Sequence, residues 1–348
     1  MLNVSVTHDN PRLRLLGRMD VSRTPVALDW TGSGLECSFH GSDLWAELEA
    51  PAFSPILWMI VLSDGAPVTR FPVEPGIRFY PLVLGMEPAN TRTITLMKET
   101  QCMPDAPEAT VLLHTLRMNG SLEELPRRDW KIEFVGDSLT SGEGSLAPHG
   151  NDEWITQWFS ARGNYSWIAC DRLNAERRIL SQSGWGVNWD YQHNEQNTLT
   201  AYYEQICGVL RGPAAEKRGC TKPYDFASWQ PDVVCIRLLT NDIGGTDALN
   251  SFNRDRDRIV EGALGLLRTV RKNNPAAKIV WILPATDRHP ELAEEAVEKA
   301  RQEGMSDLFT FALPDYREED TGARFHPNAE WNRKAGLLLA DYLRDKVL

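Results

Sequence analysis

The stretch Lys131-Ile-Glu-Phe-Val135-Gly-Asp-Ser138-Leu-Thr-Ser-Gly142 decides how the rest of the chain is read. A short apolar run that stops at Gly-Asp-Ser marks a buried strand turning into a helix N-terminus. Similar runs recur at 177–181, 233–239, 278–284 and 308–313, and helical segments lie between them. In 253–272, Ile259, Ala263, Leu266, Leu267 and Val270 fall on one helical face; in 329–346, Trp331, Ala335, Leu338, Leu339 and Leu343 do the same. Alternating strands and helices predict a parallel sheet with helices on both faces. The stretch 144–163 and the polar run 188–230 are longer than ordinary connections, so they are candidates for shaping a site.

Upstream, as far as about Glu123, the pattern has a different period. Val26–Trp30, Gly34–Phe39, Leu44–Glu49 and Thr93–Met97 read as short strands, with Thr31–Gly34 and Gly41–Asp43 as turns between them. Strands about ten residues apart predict an all-β sandwich. The reading is therefore two domains, 1–125 and 126–348, with the change of period at Pro126–Trp130.

Composition narrows the class. The 348 residues carry 37 Lys plus Arg against 48 Asp plus Glu, a net charge of −11, which gives no electrostatic attraction for nucleic acid or an anionic membrane. No run approaches the roughly 20 apolar residues of a membrane span, and the first residues have neither a basic nor an apolar leader pattern. Six scattered cysteines, without a CxxC pair or a Cys/His cluster, fit reduced thiols better than zinc. The expectation is a soluble, cytoplasmic protein that binds no metal, nucleic acid or membrane. Oligomeric state is left open.

In a parallel sheet of this kind, ligands bind beyond the carboxyl ends of the strands. Four such ends carry chemistry. Ser138 follows the first strand, where its hydroxyl can be a nucleophile or simply a helix cap. Ser183-Gly184 follows the second, where a glycine N–H can be an oxyanion donor or part of a plain turn. Asn241-Asp242 follows the third, where Asn241 can aim its amide at an oxyanion or the pair can cap the next helix. His326, before Pro327 and the last helix, can be a general base or an incidental loop histidine.

Taken in order, Gly136-Asp137-Ser138-Leu139, Ser183-Gly184, Asn241-Asp242 and His326-Pro327-Asn328 resemble the four blocks of an SGNH (GDSL-type) hydrolase. The resemblance implies a flavodoxin-like three-layer α/β domain with Ser138 as nucleophile and His326 as base. It also implies an oxyanion hole from the Ser138 and Gly184 N–H groups and the Asn241 amide, and no metal or organic cofactor. Leu16-Gly17-Arg18, Asp29–Gly34 and Phe39-His-Gly41 resemble the jelly-roll domain of family 2 carbohydrate esterases, which remove acetyl groups from plant-polysaccharide sugars. Two positions depart from the wider pattern. Leu239 stands where glycine is usual, and Ala323 where an aspartate would orient the histidine. A Ser-His dyad steadied by a backbone carbonyl of 321–325 is therefore expected, with Asp320, Glu330 and Asp242 as alternative acids.

The substrate implied is an acetylated manno- or xylo-oligosaccharide, with Trp185 and Trp189, along with Tyr191, as candidate sugar platforms. Three other functions compete. A GDSL-type lipase or thioesterase would want an apolar groove, whereas 144–163 and 188–197 are rich in Asn, Gln, His and Trp. A non-catalytic carbohydrate-binding protein would not need all four blocks. A glycosidase would need a spatial pair of carboxylates, and Asp152/Glu153 and Glu318–Asp320 read more simply as solvated charge.

Overall fold

Glycine opposes glycine where two long N-terminal strands bend together. The computed structural model describes residues 1–52, 55–284 and 288–348. Its strands from the N-terminus are β1 (Leu2–Ser5), β2 (Leu13–Leu16), β3 (Val26–Leu28), β4 (Gly34–Ala50), β5 (Trp58–Ser63), β6 (Ala66–Pro72), β7 (Gly76–Val83), β8 (Thr91–Lys98) and β9 (Val111–Glu123). All pair antiparallel, in the order β1-β9-β4-β8-β5-β6, with β2 and β7 also on β4 and β3 on β9.

Two strands were expected within 34–49, at Gly34–Phe39 and Leu44–Glu49; the structure has one. β4 continues through Gly41-Ser42-Asp43 by a bulge and changes partners there, from β2 and β8 to β7. Gly41 pairs with Gly120 of β9 at this point. A Cβ on Gly41 would come within 2.6 Å of the Gly120 Cα, and one on Gly120 within 2.7 Å of the Gly41 Cα, so neither strand could bend beside the other with a side chain present. Leu35, Cys37, Phe39, Leu44, Ala46 and Leu48 alternate inward along β4 into a single apolar core.

This unit is not closed by a cut near residue 125. It comprises Met1–Arg128 together with Gln205–Lys222, an excursion from the middle of the second half that includes α3 (Pro213–Arg218). The excursion is stitched to the strands from several directions. Trp30 Nε1 donates to Ile206 O at 2.7 Å, and Arg218 ion-pairs with Asp29 at 3.3 Å. The thiols of Cys102 and Cys207 lie 3.4 Å apart.

The second unit, Asp129–Glu204 with Pro223–Leu348, holds the parallel sheet. Its strands are β10 (Trp130–Gly136), β11 (Ala175–Ser181), β12 (Val233–Arg237), β13 (Lys278–Leu283) and β14 (Leu308–Ala312), ordered β11-β10-β12-β13-β14. The helices in this unit are α1 (Ser138–Ser141), α2 (Tyr165–Arg172), α4 (Thr240–Leu249), α5 (Phe252–Asn273), α6 (Pro290–Gln302) and α7 (Ala329–Tyr342). Ile132, Phe134, Cys235, Val280 and Ile282 lie in one apolar cluster with residues of α2 and α7. The alternate residues Val135, Val234, Ile236, Ile279 and Trp281 are equally buried, so both faces are covered, as a parallel sheet requires. The strand order reverses between β10 and β12, and a flavodoxin-like sheet opens its ligand crevice at that switch point.

Candidate active site

The crevice at the switch point is where three of the four sequence blocks arrive. β10 ends at Gly136, and the chain turns into α1 with Asp137 as its cap, the Asp137 carboxylate accepting Leu139 N–H at 3.1 Å. Ser138 is therefore not the cap. Asp137 caps the helix, which leaves Ser138, the first helical residue and 8 % exposed, with its hydroxyl unused by the cap. Asp137 itself is fully buried, which pushes its carboxyl up, while Arg237 at the end of β12 sits 3.4 Å away and opposes the shift.

β11 delivers the second block. Gln182 N–H donates to Gly136 O at 3.1 Å, so the loop enters beside the end of β10. Gly184 then takes φ +78° and lies against the Tyr191 ring. Asn241, in the first turn of α4, donates through Nδ2 to Trp185 O at 3.0 Å, which ties the third block to the second. Asp242 is no helix cap. Its carboxylate reaches back to accept Val187 N–H at 2.9 Å and Asn188 N–H at 2.7 Å. Complete burial drives its pKa up to about 6, although those N–H donors favour the charged form. Leu239, the residue in the usual glycine position, is fully buried with φ +91°, a left-handed backbone that costs a side-chain-bearing residue on the order of 1–3 kcal/mol.

The fourth block is held differently. Asn328 caps α7 by accepting Trp331 N–H at 2.9 Å, and just before it Arg324 and Phe325 are both left-handed, at φ +53° and +58°. His326 emerges from this tight turn with its side chain 18 % exposed. No carbonyl of 321–325 accepts from the buried Nδ1, and Ala323 O instead accepts the His326 backbone N–H at 3.0 Å. Among the described residues nothing accepts from the buried Nδ1.

None of the three alternative acids is turned to His326. Asp320 accepts Arg317 N–H at 3.1 Å, Glu330 pairs with Arg333 at 3.0 Å, and Asp242 is the loop brace just described. The carboxylate at the ring is Glu143, buried and with Oε2 3.9 Å from His326 Nε2. Glu143 also donates its backbone N–H to the Ser138 backbone carbonyl at 3.1 Å, so the carboxylate at the His326 ring sits in the turn that follows Ser138. Sequence reading missed it. Its only signal was a carboxylate among the small residues of Ser141-Gly-Glu-Gly144.

The aromatic expectations need correction. Trp189 is fully buried, donates Nε1–H to Asp242 O at 2.8 Å and stacks on His193 at 4.1 Å, so neither ring face is open to a sugar. Trp185 is only 5 % exposed and leans on Tyr202. Tyr191, beside Gly184, and Phe325, beside His326, keep open surface, 51 % and 75 % exposed, as does Trp154 in 144–163. A spacing of aromatic residues in sequence does not say which of them the loop folds inward. Among the described residues no group of three His, Cys, Asp or Glu side chains is placed to hold a metal ion.

A parallel sheet in the order β11-β10-β12-β13-β14, with serine, glycine, asparagine and histidine brought in chain order to its carboxyl edge, defines an SGNH hydrolase. No protein-family model matches the chain. Among solved structures it is similar to an acetyl xylan esterase, Est2A, from the rumen bacterium Butyrivibrio proteoclasticus, with a TM-score of 0.93 and 30 % identity over 99 % of this chain and 98 % of that one. It shares the fold of a family two carbohydrate esterase from Clostridium thermocellum, with a TM-score of 0.82 and 23 % identity over 96 % and 98 % of the two chains. Among characterised sequences it is 27 % identical over 279 residues to the cellulase/esterase CelE of Acetivibrio thermocellus; that match takes in 78 % of this chain but spans only 31 % of CelE. The chain belongs to the SGNH hydrolases of carbohydrate esterase family 2.

Proposed function

We propose that the protein is a carbohydrate O-acetylesterase that removes acetyl groups from xylo- or manno-oligosaccharides through an acetyl-enzyme. The observation that carries this reading is the approach of His326 to Glu143 in the turn that follows Ser138, with the loop beyond Gly184 tied down by Asn241 at Trp185 O. The similarity to an acetyl xylan esterase along nearly the whole chain supports the acetyl group and the sugar.

In this reading His326 takes the Ser138 hydroxyl proton as Ser138 Oγ bonds to the acetyl carbonyl carbon. The carbonyl oxygen becomes an anion facing the Ser138 and Gly184 N–H groups and the Asn241 amide. Collapse breaks the bond to the sugar oxygen, which receives the proton from His326. Water then gives a proton to His326 and attacks the acetyl carbon, and Ser138 Oγ leaves with that proton. The products are the free sugar hydroxyl, acetate and one proton.

Tyr191 and Phe325 supply the flat apolar surface for the sugar ring. We assign the N-terminal unit a jelly-roll architecture, supported by its all-antiparallel pairing and by two long strands that change partners at one glycine corner. The test is Ser138→Ala and His326→Ala on acetylated xylo- and manno-oligosaccharides, followed by mass spectrometry. Turnover should drop by roughly 10⁴–10⁶-fold for Ser138→Ala, the scale of removing a serine-hydrolase nucleophile. Near-normal deacetylation by that variant would overturn the reading.

A further inference from the structure

The position that should hold an acid to balance His326 holds Ala323, and the ring's Nδ1 is buried with nothing among the described residues to accept from it. When His326 takes a proton, its new charge needs a counter-charge in this partly buried place. Two carboxylates face the ring. Asp137 is committed to Leu139 N–H and to Arg237, and its burial disfavours the charged form. Glu143 is different. One oxygen, Oε1, is gripped by Arg324 Nη1 at 2.9 Å, and the other, Oε2, is turned to His326 at 3.9 Å.

The grip is part of a larger clamp between the nucleophile's loop and the base's loop. Ala323 N–H donates to Gly144 O at 3.0 Å. A Cβ on Gly144 would lie 2.5 Å from Ala323 O and 3.2 Å from the His326 Cβ, and one on Gly322 would lie 2.1 Å from Gly144 O. The two backbones can close this far only without those side chains. The left-handed turn at Arg324 then aims its guanidinium at Glu143.

We propose that Glu143 is the positioning carboxylate of the Ser138–His326 pair, supplying from the nucleophile's loop the negative charge that the base's loop lacks at Ala323. The proposal rests on the esterase reading above. At 3.9 Å the carboxylate acts on the imidazolium by charge rather than by a direct hydrogen bond. Its removal is therefore less damaging than the ~10⁴-fold loss that follows neutralising a hydrogen-bonded triad aspartate.

The experiment measures hydrolysis of 4-nitrophenyl acetate, which needs no sugar contact, by Glu143→Gln, Glu143→Asp and Glu143→Ala, with Ser138→Ala as the control. Glu143→Gln keeps an oxygen for Arg324 and loses only the charge, so kcat should fall by about 10–100-fold with KM within about twofold, and the melting temperature should stay within a few degrees. Glu143→Asp should fall between Glu143→Gln and the parent. Added formate should raise the rate of Glu143→Ala severalfold over equal chloride, with no such gain in the parent enzyme. The proposal is overturned if Glu143→Gln keeps near-full kcat, if its loss tracks a loss of folded protein, or if formate fails to rescue Glu143→Ala. In each of those cases an inactive Ser138→Ala leaves the esterase reading standing. An active Ser138→Ala overturns both.

Discussion

The side of the crevice proposed to hold the oxyanion and the side proposed to hold the base are braced differently. On the oxyanion side, Asn241 holds Trp185 O, Asp242 holds two successive N–H groups at Val187 and Asn188, and buried Trp189 props Asp242 O from beneath. On the base side, two consecutive left-handed residues, one of them a largely exposed phenylalanine, precede a histidine whose buried Nδ1 has no partner among the described residues. An oxyanion hole must be rigid before the charge develops, because its donors stabilise the transition state only if they need no rearrangement. In the proposed reaction His326 hands its proton first to a sugar oxygen and later to Ser138, and its loop is closed by backbone bonds at Gly322, Ala323 and Arg324 while the ring itself stays free to exchange that proton. The comparison teaches that strain is accepted on both sides, at Leu239 as at Arg324, and that both loops are closed by hydrogen bonds. The difference lies in the side chain, Asn241 being tied to Trp185 O while the buried Nδ1 of His326 has no acceptor among the described residues.

The comparison can be broken most severely at Asn241. Asn241→Ala should lower kcat by roughly 10²–10³-fold with little change in KM, the scale of removing a side-chain oxyanion donor. A purely KM effect in steady-state kinetics would move Asn241 from the transition state to ground-state sugar binding.

Asp242→Asn probes the brace itself and should lower kcat about tenfold at pH 7, since an amide puts N–H where two N–H groups already point. Its pH dependence has a definite sign. Burial raises the folded-state pKa to about 6, well above the ordinary aspartate value, so the folded state binds a proton that the unfolded chain has already lost. That contribution to stability is present at about pH 4 and is lost as pH rises through about 6. Asp242→Asn should therefore gain stability relative to the parent between pH 4 and 7 in thermal melts. The parent's activity should also fall more steeply below pH 6 than the variant's, because a protonated Asp242 accepts fewer N–H groups.

The smallest effect sharpens the other half. Phe325→Gly replaces an exposed side chain at a left-handed position, relieving ~1–2 kcal/mol of backbone strain against ~0.5–1 kcal/mol of extra chain entropy in the unfolded state. A melting temperature equal to or slightly above the parent's is expected, with a severalfold loss on acetylated oligosaccharide and little on 4-nitrophenyl acetate. A clear drop in melting temperature would mean that the ring packs where it reads as exposed.

How much of this was legible in the sequence depends on range. The run Lys131–Val135 and its four later counterparts predicted β10 to β14 to within a few residues, because a buried parallel strand is written in consecutive apolar residues. Ser138, Gly184, Asn241 and His326 could be singled out as candidates because each lies within a few residues of the end of an element. β4 was read as two strands because Gly41-Ser-Asp43 has the composition of a turn, and only pairing with Gly120 makes it a bend. The inward turn of Trp185 and Trp189 and the approach of Glu143 to His326 were not legible. They depend on tertiary contacts such as Trp189 with Asp242 and Glu143 with His326, on which local spacing carries no information.

The return of Gln205–Lys222 to the N-terminal unit has a consequence for the order of events on the ribosome. Contacts from Trp30 to Ile206 and from Asp29 to Arg218 require residues that are made only after β10, α1, α2 and β11 have been translated. The first unit to be synthesised is thus not the first that can be finished. It must wait, with the surroundings of Trp30, Cys102 and Lys98 incomplete, while the opening strands of the second unit leave the exit tunnel. A gene fragment ending near residue 128 would yield a nascent chain arrested at that stage. For the same reason neither unit could be exchanged between proteins by a single recombination point.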